Sequence, residues 1–224
     1  MDKQKIYCIS GLGADYRVFE LINIPNYELV HLEWIDPLPK EPLTDYAQRL
    51  AQKITGEQPI IMGLSFGGIV ATEIGKIRPY KHIITLASVR CRREMPWYFK
   101  MCKQLPFHRL APENQWNTTL PLLRWLFGVD AKNEALFSSI SSDTNPKFAK
   151  WAIDSIVHWN QRDVLPNVSA IHGTKDKIFP ARRLQNVNWI KNAGHLMTLT
   201  HPVEISTLIT QLLEQKYDDL NLPH

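Results

Sequence analysis

One short stretch restricts the folds open to this chain more than any other. The apolar run Pro59-Ile60-Ile61-Met62 gives way to Gly63-Leu64-Ser65-Phe66-Gly67-Gly68, and Ile69 to Ile77 then keeps a helical pattern until Pro79 stops it. A strand that turns directly into a helix leaves no room on the inside of the turn. Glycine at positions 63 and 67 removes the Cβ atoms that would meet neighbouring backbone there. The apex residue, Ser65, is then held in a strained backbone conformation with its hydroxyl lifted clear of the sheet. The first N–H groups of the helix, and the positive end of its dipole, point to the same place. An ordinary glycine-rich strand-to-helix turn without chemistry is the plain alternative.

The rest of the chain repeats the strand-then-helix alternation. Ile6-Tyr7-Cys8-Ile9 is a short buried strand ended by Ser10-Gly11-Leu12-Gly13, and Tyr27 to Leu32 reads as a second. Thr44 to Ile54 carries Ala47, Leu50, Ala51 and Ile54 on one helical face, with Thr44 placed to cap its start and Gly56 to close its end. His82 to Ala87, Val168 to His172 and Val187 to Ile190 complete six strands, and a last amphipathic helix near His201 to Gln215 buries Ile205, Leu208, Ile209 and Leu212. Between Ser88 and Asp163 the alternation stops. That stretch holds five of the seven tryptophans (Trp97, Trp116, Trp125, Trp151 and Trp159), with helices expected over Pro121 to Phe127 and Pro146 to Trp159. The pattern implies one domain over residues 1–224, a parallel sheet covered on both faces, and a helical insertion over 88–163.

Composition narrows the partners. A net charge of +4, from 26 basic and 22 acidic side chains, is too mild for a nucleic-acid binder. The densest basic run, Arg90-Cys91-Arg92-Arg93, reads as a solvated loop or as an attractor for an anionic substrate. No apolar run approaches the roughly 18 residues that span a bilayer, and the polar Met1-Asp2-Lys3-Gln4-Lys5 start does not resemble a secretion signal. Cys8, Cys91 and Cys102 cannot all pair, and a thiol in a buried strand fits a reducing compartment. These features point to a cytoplasmic protein, and they leave oligomeric state open.

Four segments together resemble the α/β-hydrolases, and in particular small capped members. They are Ile9-Ser10-Gly11-Leu12-Gly13-Ala14-Asp15, the Ser65 turn, Ile171-His172-Gly173-Thr174-Lys175-Asp176, and Asn192-Ala193-Gly194-His195. The resemblance covers the whole chain, weakest in the 88–163 insertion, and keeps the family order of nucleophile, acid and base. It implies an α/β-hydrolase fold: a mostly parallel six-stranded sheet flanked by helices, with a helical cap. This chain departs from the common pattern in carrying Ser10 where many relatives have histidine before the first loop glycine.

A serine hydroxyl becomes a useful nucleophile only when a base takes its proton. Of eight histidines, His195 lies in a glycine-containing loop after the last strand, where it can reach back over the sheet edge. His172, at a strand end, reads as packing or bonding locally, and His201 as a cap or surface residue. The base needs a carboxylate to orient it. Asp176 follows the fifth strand through a short loop on the same rim, although it could instead cap a helix starting near Pro180; Asp163 and Asp154 would have to reach in from the insertion. The resemblance places the oxyanion donors at the backbone N–H groups of Leu12 and Phe66.

The expected activity is two-step cleavage of a carboxylic ester or related acyl bond, with no metal or organic cofactor. A thioesterase, lactonase or carbon–carbon hydrolase with the same triad, or a slow-turnover ligand receptor on this fold, are the alternatives. The substrate is expected to be a small, partly apolar molecule, with the tryptophans and phenylalanines of the insertion forming its pocket or gluing the insertion to the sheet.

Overall fold

A computed structural model of the chain describes residues 3–104 and 120–220; Trp116, named above, lies outside them. Six strands, β1 (Gln4–Ile9), β2 (Tyr27–His31), β3 (Ile60–Leu64), β4 (His82–Leu86), β5 (Val168–Gly173) and β6 (Val187–Ile190), form one sheet in the order β2-β1-β3-β4-β5-β6. Every neighbouring pair is parallel. The helices are α1 (Leu43–Ala51), α2 (Phe66–Ile77), α3 (Trp97–Gln104), α4 (Leu120–Phe127), α5 (Glu134–Ser142), α6 (Pro146–His158), α7 (Met197–Thr200) and α8 (Pro202–Leu220).

The strands show why their sequences read as continuous apolar runs. Successive side chains leave a strand on opposite faces, so a sheet covered on both sides needs apolar residues at every position. Ile6, Cys8, Ile60, Met62, Leu64 and Ile84 face the layer that contains α8. Tyr7, Ile9, Ile61 and Ile83 face α1, α2 and α6 on the other side. The chain leaves β1 for β2 in one direction and returns to place β3 on β1's other side, so the sheet's order reverses between β1 and β3. A crevice opens at the carboxyl ends of the strands at such a switch point. The β1 loop and the Ser65 turn both lie there.

Four described helices, α3 to α6, occupy the stretch between β4 and β5. Side chains tie α6 and the residue that follows it to the segment before α1 and to α2. Trp151 Nε1 donates to Glu41 O at 2.9 Å, and the buried Trp159 donates to Glu73 Oε1 at 2.7 Å. Phe148, Ala152 and Ile156 of α6, and Trp159 just after it, are all buried, as their shared face requires.

Several local expectations need correction. Helix α1 begins at Leu43 with Pro42 as its cap residue, and Thr44 makes no cap; its hydroxyl donates to Asp45 Oδ1 at 3.2 Å. Pro42, with φ fixed at −64°, starts the helix before Thr44 is reached. The helix closes at Ala51, and Gly56 serves a later turn at φ +87°. Helix α8 buries Ile205, Ile209 and Leu213, with Leu208 and Leu212 only half-buried beside them. Arg90 is not in a solvated loop. It is buried in an ion pair with Glu94 one turn on, and its guanidinium also donates to the carbonyls of Gln185 and Asn186. Arg93 alone of that run is exposed, facing Asp163.

Candidate active site

The turn after β3 has the strain that its glycines suggest. Ser65 sits at φ +50°, ψ −117°, a region that side chains rarely occupy. Its N–H donates to Leu86 O at 2.8 Å, and its carbonyl accepts from Ser88 Oγ at 2.6 Å and Gly68 N at 3.0 Å. The apex is thus fastened to β4 and to the start of α2. A Cβ on Gly67 would lie 2.2 Å from Ile9 O, and one on Gly63 would lie 2.3 Å from Gly67 O. Neither clash can be relieved by rotating a side chain.

Two loops on the same rim supply the other titratable groups. Ser65 Oγ lies 2.8 Å from His195 Nε2, and His195 Nδ1 lies 2.8 Å from Asp176 Oδ2. The carboxylate accepts, so the His195 proton is on Nδ1 and Nε2 is free to accept from the serine. Backbone contacts hold the two loops together. Lys175 N donates to Ala193 O at 2.9 Å, and a Cβ on Gly173 would come within 2.3 Å of the same oxygen.

Asp176 is buried, and burial by itself would push its carboxyl up. That push is outweighed by the adjacent His195 and by hydrogen bonds from His172 and His195, which hold it well below the usual carboxylate range. Its other oxygen, Oδ1, accepts from Ile178 N at 2.8 Å and Phe179 N at 2.9 Å. Asp176 therefore closes its own loop and caps no helix; the turn near Pro180 is a short 3-10 segment, Ala181–Arg183, without a side-chain cap. Asp154 faces His158 at 3.5 Å and Asp163 faces Arg93 at 3.6 Å, both away from this line. His201 Nδ1 is 2.8 Å from Thr200 Oγ1. The neighbour that sequence reasoning did not bring to the site is His172, whose Nε2 is 3.2 Å from Asp176 Oδ2. Its only signal was a spacing of four residues before the aspartate.

Comparison with known proteins identifies the scaffold. The model of the alpha/beta hydrolase family matches residues 8–207. The chain belongs to that family. No curated protein sequence matches it. Among solved structures it is similar to the enol-lactonase from Burkholderia xenovorans LB400, with a TM-score of 0.75 at 12% identity over 96% of this chain and 92% of that one. It is also similar to the esterase EaEST from Exiguobacterium antarcticum, at 0.71 and 16% over 94% and 92%, and to the hydrolase olei00960 from Oleispira antarctica, at 0.74 and 14% over 96% and 92%.

Ser10 helps to close the loop after β1. Ser10 Oγ donates to Ala14 O at 2.7 Å, Trp34 Nε1 donates to the same carbonyl at 3.1 Å, and Ala14 N donates to Gly11 O at 3.1 Å. From the insertion, Thr144 Oγ1 donates to Gly13 O at 3.0 Å. Leu12 lies in this loop beside Ser65, and Phe66 opens α2 with its ring buried 5.6 Å from Trp34.

Ser65 and His195 open into a cavity of about 490 Å³, walled by Phe99, Phe127, Phe137, Ile153, Ile178 and Phe179 among others. A hollow of about 400 Å³ beside His31 and Trp34 shares Gly13, Ala14, Ile140 and Thr144 with it but touches none of Ser65, Asp176 or His195. No described tryptophan of the insertion borders the cavity at Ser65. Trp97 and Trp125 are exposed, while Trp151 and Trp159 bond to Glu41 and Glu73, so the expected apolar pocket is built of phenylalanine, leucine and isoleucine. Cys8 and Cys91 are buried free thiols and Cys102 is a half-buried one, and burial pushes the Cys8 thiol up. Among the described residues no His, Cys, Asp and Glu cluster could hold a metal ion, and no helix is long and apolar enough to cross a membrane.

Proposed function

We propose that the chain is a serine hydrolase that cleaves a carboxylic ester, or a closely related acyl bond, of a partly apolar small molecule. The single observation that carries this reading is the unbroken line Ser65–His195–Asp176, with 2.8 Å at both links, at the wall of an apolar cavity. His195 takes the Ser65 proton as the oxygen attacks the carbonyl, then delivers it to the leaving alcohol. Water, deprotonated by His195, then clears the acyl-serine and regenerates Ser65. The N–H groups of Leu12 and Phe66 stabilise the tetrahedral oxyanion, at about 3 kcal/mol for each donor. Asp176, held ionised, favours the protonated form of His195 that exists only between these steps.

The 88–163 insertion acts as the cap that roofs the cavity. A lactone is a cyclic ester and needs the same steps, and the structural similarity to an enol-lactonase makes it the first alternative substrate to include. The test is covalent labelling with a fluorophosphonate, followed by turnover of an ester series against thioesters and lactones. Wild-type protein should label once, and Ser65→Ala and His195→Ala should not. Label that persists on Ser65→Ala refutes the assignment.

A further inference from the structure

The Asp176 carboxylate serves two imidazoles. His172 is fully buried, and its Nε2 lies 2.8 Å from Phe179 O as well as 3.2 Å from Asp176 Oδ2. A carbonyl can only accept, so Nε2 carries a proton. That N–H is directed at the Phe179 carbonyl, and the same nitrogen stands 3.2 Å from the carboxylate oxygen that also receives His195 Nδ1. The other ring nitrogen, Nδ1, is buried with no hydrogen-bond partner. Nε2 is therefore the ring nitrogen through which His172 makes its polar contacts.

We propose that His172 is a positioning residue of the catalytic line, a second donor to Asp176 that aims Oδ2 at His195 and draws off part of its charge. The proposal rests on the Ser65–His195–Asp176 reading. Oδ1 accepts from Ile178 N and Phe179 N, while Oδ2 accepts from His195 Nδ1 and lies 3.2 Å from His172 Nε2. Three hydrogen bonds and the neighbouring imidazole surround both carboxylate oxygens and favour a single orientation. The same His172 proton holds the carbonyl of Phe179, whose ring borders the cavity 5.7 Å from His195. His172 thereby ties strand β5, the acid and one wall of the pocket to a single point.

The consequence is a pH signature. The titratable groups around Asp176 are His172 on β5, His195 on the loop after β6, and Tyr98 on α3. Burial, and then the charge of Asp176, push the Tyr98 hydroxyl up to about 12, so it stays neutral across the working range. Lys177, next in sequence, is turned away: its Nζ donates to Trp125 O and sits over the Trp125 ring. Removing the His172 donor leaves more of the carboxylate's charge facing His195, which favours the protonated and inactive form of the base. The acid limb of reactivity must then move to higher pH.

The test is the rate of fluorophosphonate inactivation against pH for wild type, His172→Leu and His172→Gln, with folding checked by near-ultraviolet circular dichroism. His172→Leu should lower the plateau rate about tenfold and raise the midpoint of the acid limb by about half a pH unit. His172→Gln, whose amide N–H can reach the position of Nε2, should restore the midpoint and most of the rate. A folded His172→Leu protein with a slower plateau but an unmoved limb overturns the proposal, because it would show packing alone. Should His172→Leu fail to fold, His172→Gln decides: a displaced limb there overturns the proposal, and a retained one supports it. Wild type that does not label, or Ser65→Ala that does, refutes the catalytic line itself and this role with it.

Discussion

The rim of the sheet and the insertion above it are fixed in different ways. At the rim, backbone packs on backbone: the sites for a Cβ on Gly63, Gly67 and Gly173 lie 2.2–2.3 Å from main-chain oxygens. The insertion is held largely by side chains, as with Thr144 on Gly13 O, Trp151 on Glu41 O and Trp159 on Glu73, and it meets the rim through backbone where Leu196 N donates to Phe127 O at 3.1 Å. Backbone contacts of the first kind admit one residue type, glycine. Side-chain contacts of the second kind can be exchanged one at a time. The difference leaves the Ser65 turn with one geometry and makes the contacts of the insertion more open to substitution.

The largest effect should come from breaking the rim. In Gly67→Ala the new methyl meets Ile9 O and Ser10 O at 2.2 and 2.3 Å, so β1 has to move away from β3. We expect a loss of about 3 kcal/mol or more, read by urea unfolding, and accumulation of unfolded chain. A protein of wild-type stability would show that the rim is softer than its contacts indicate.

Asp176→Asn should separate chemistry from folding. The amide nitrogen cannot accept from His195 Nδ1, so the imidazole loses the tautomer it needs, and turnover should fall by about 10³ to 10⁴ with the fold retained. The same variant tests the charge. A carboxyl held below its unfolded value contributes stability above the ordinary carboxylate range, and that contribution is lost as pH falls toward its depressed folded value. Wild type should therefore be the more stable at neutral pH, with the gap to Asp176→Asn shrinking as the solution is taken from about pH 6 to pH 3. A constant gap would mean that Asp176 contributes shape without charge.

The same contrast explains what could be read from the sequence. Gly63, Gly67 and the apolar strands were legible because steric exclusion and two-sided burial act on neighbouring residues and leave local marks. Ser65, Asp176 and His195 stood out because each follows a strand onto one rim. Thr44 was misplaced because Pro42, two residues earlier, settled the helix start through its ring. Arg90 looked solvated within a basic run, and its burial depends on carbonyls 95 and 96 residues away. Whether a tryptophan lines a pocket or anchors a helix is likewise decided by distant partners; Glu41 and Glu73 are the partners of Trp151 and Trp159. His172 carried no mark beyond its spacing from Asp176, since its role depends on how the 176–179 loop folds back on β5.

The smallest effect should mark the other side of the comparison. Arg17 bridges the β1 loop region to α5, donating to Ser139 Oγ at 2.9 Å and to Asp143 Oδ2 at 2.6 Å while it also holds Asp15. Asp143 keeps 63% of its side chain exposed, so water and salt screen this pair. Asp15 remains on Arg17 when Asp143 is changed, and no buried charge is left alone. Asp143→Asn should then cost at most about 0.5 kcal/mol at low salt and nothing measurable near 0.5 M salt, with the rate of serine labelling unchanged. A loss of several-fold in labelling would mean that α5 reaches the reacting groups through this ion pair. The insertion would then share in fixing the catalytic geometry, and the division between an invariant rim and an exchangeable roof would fail at that contact.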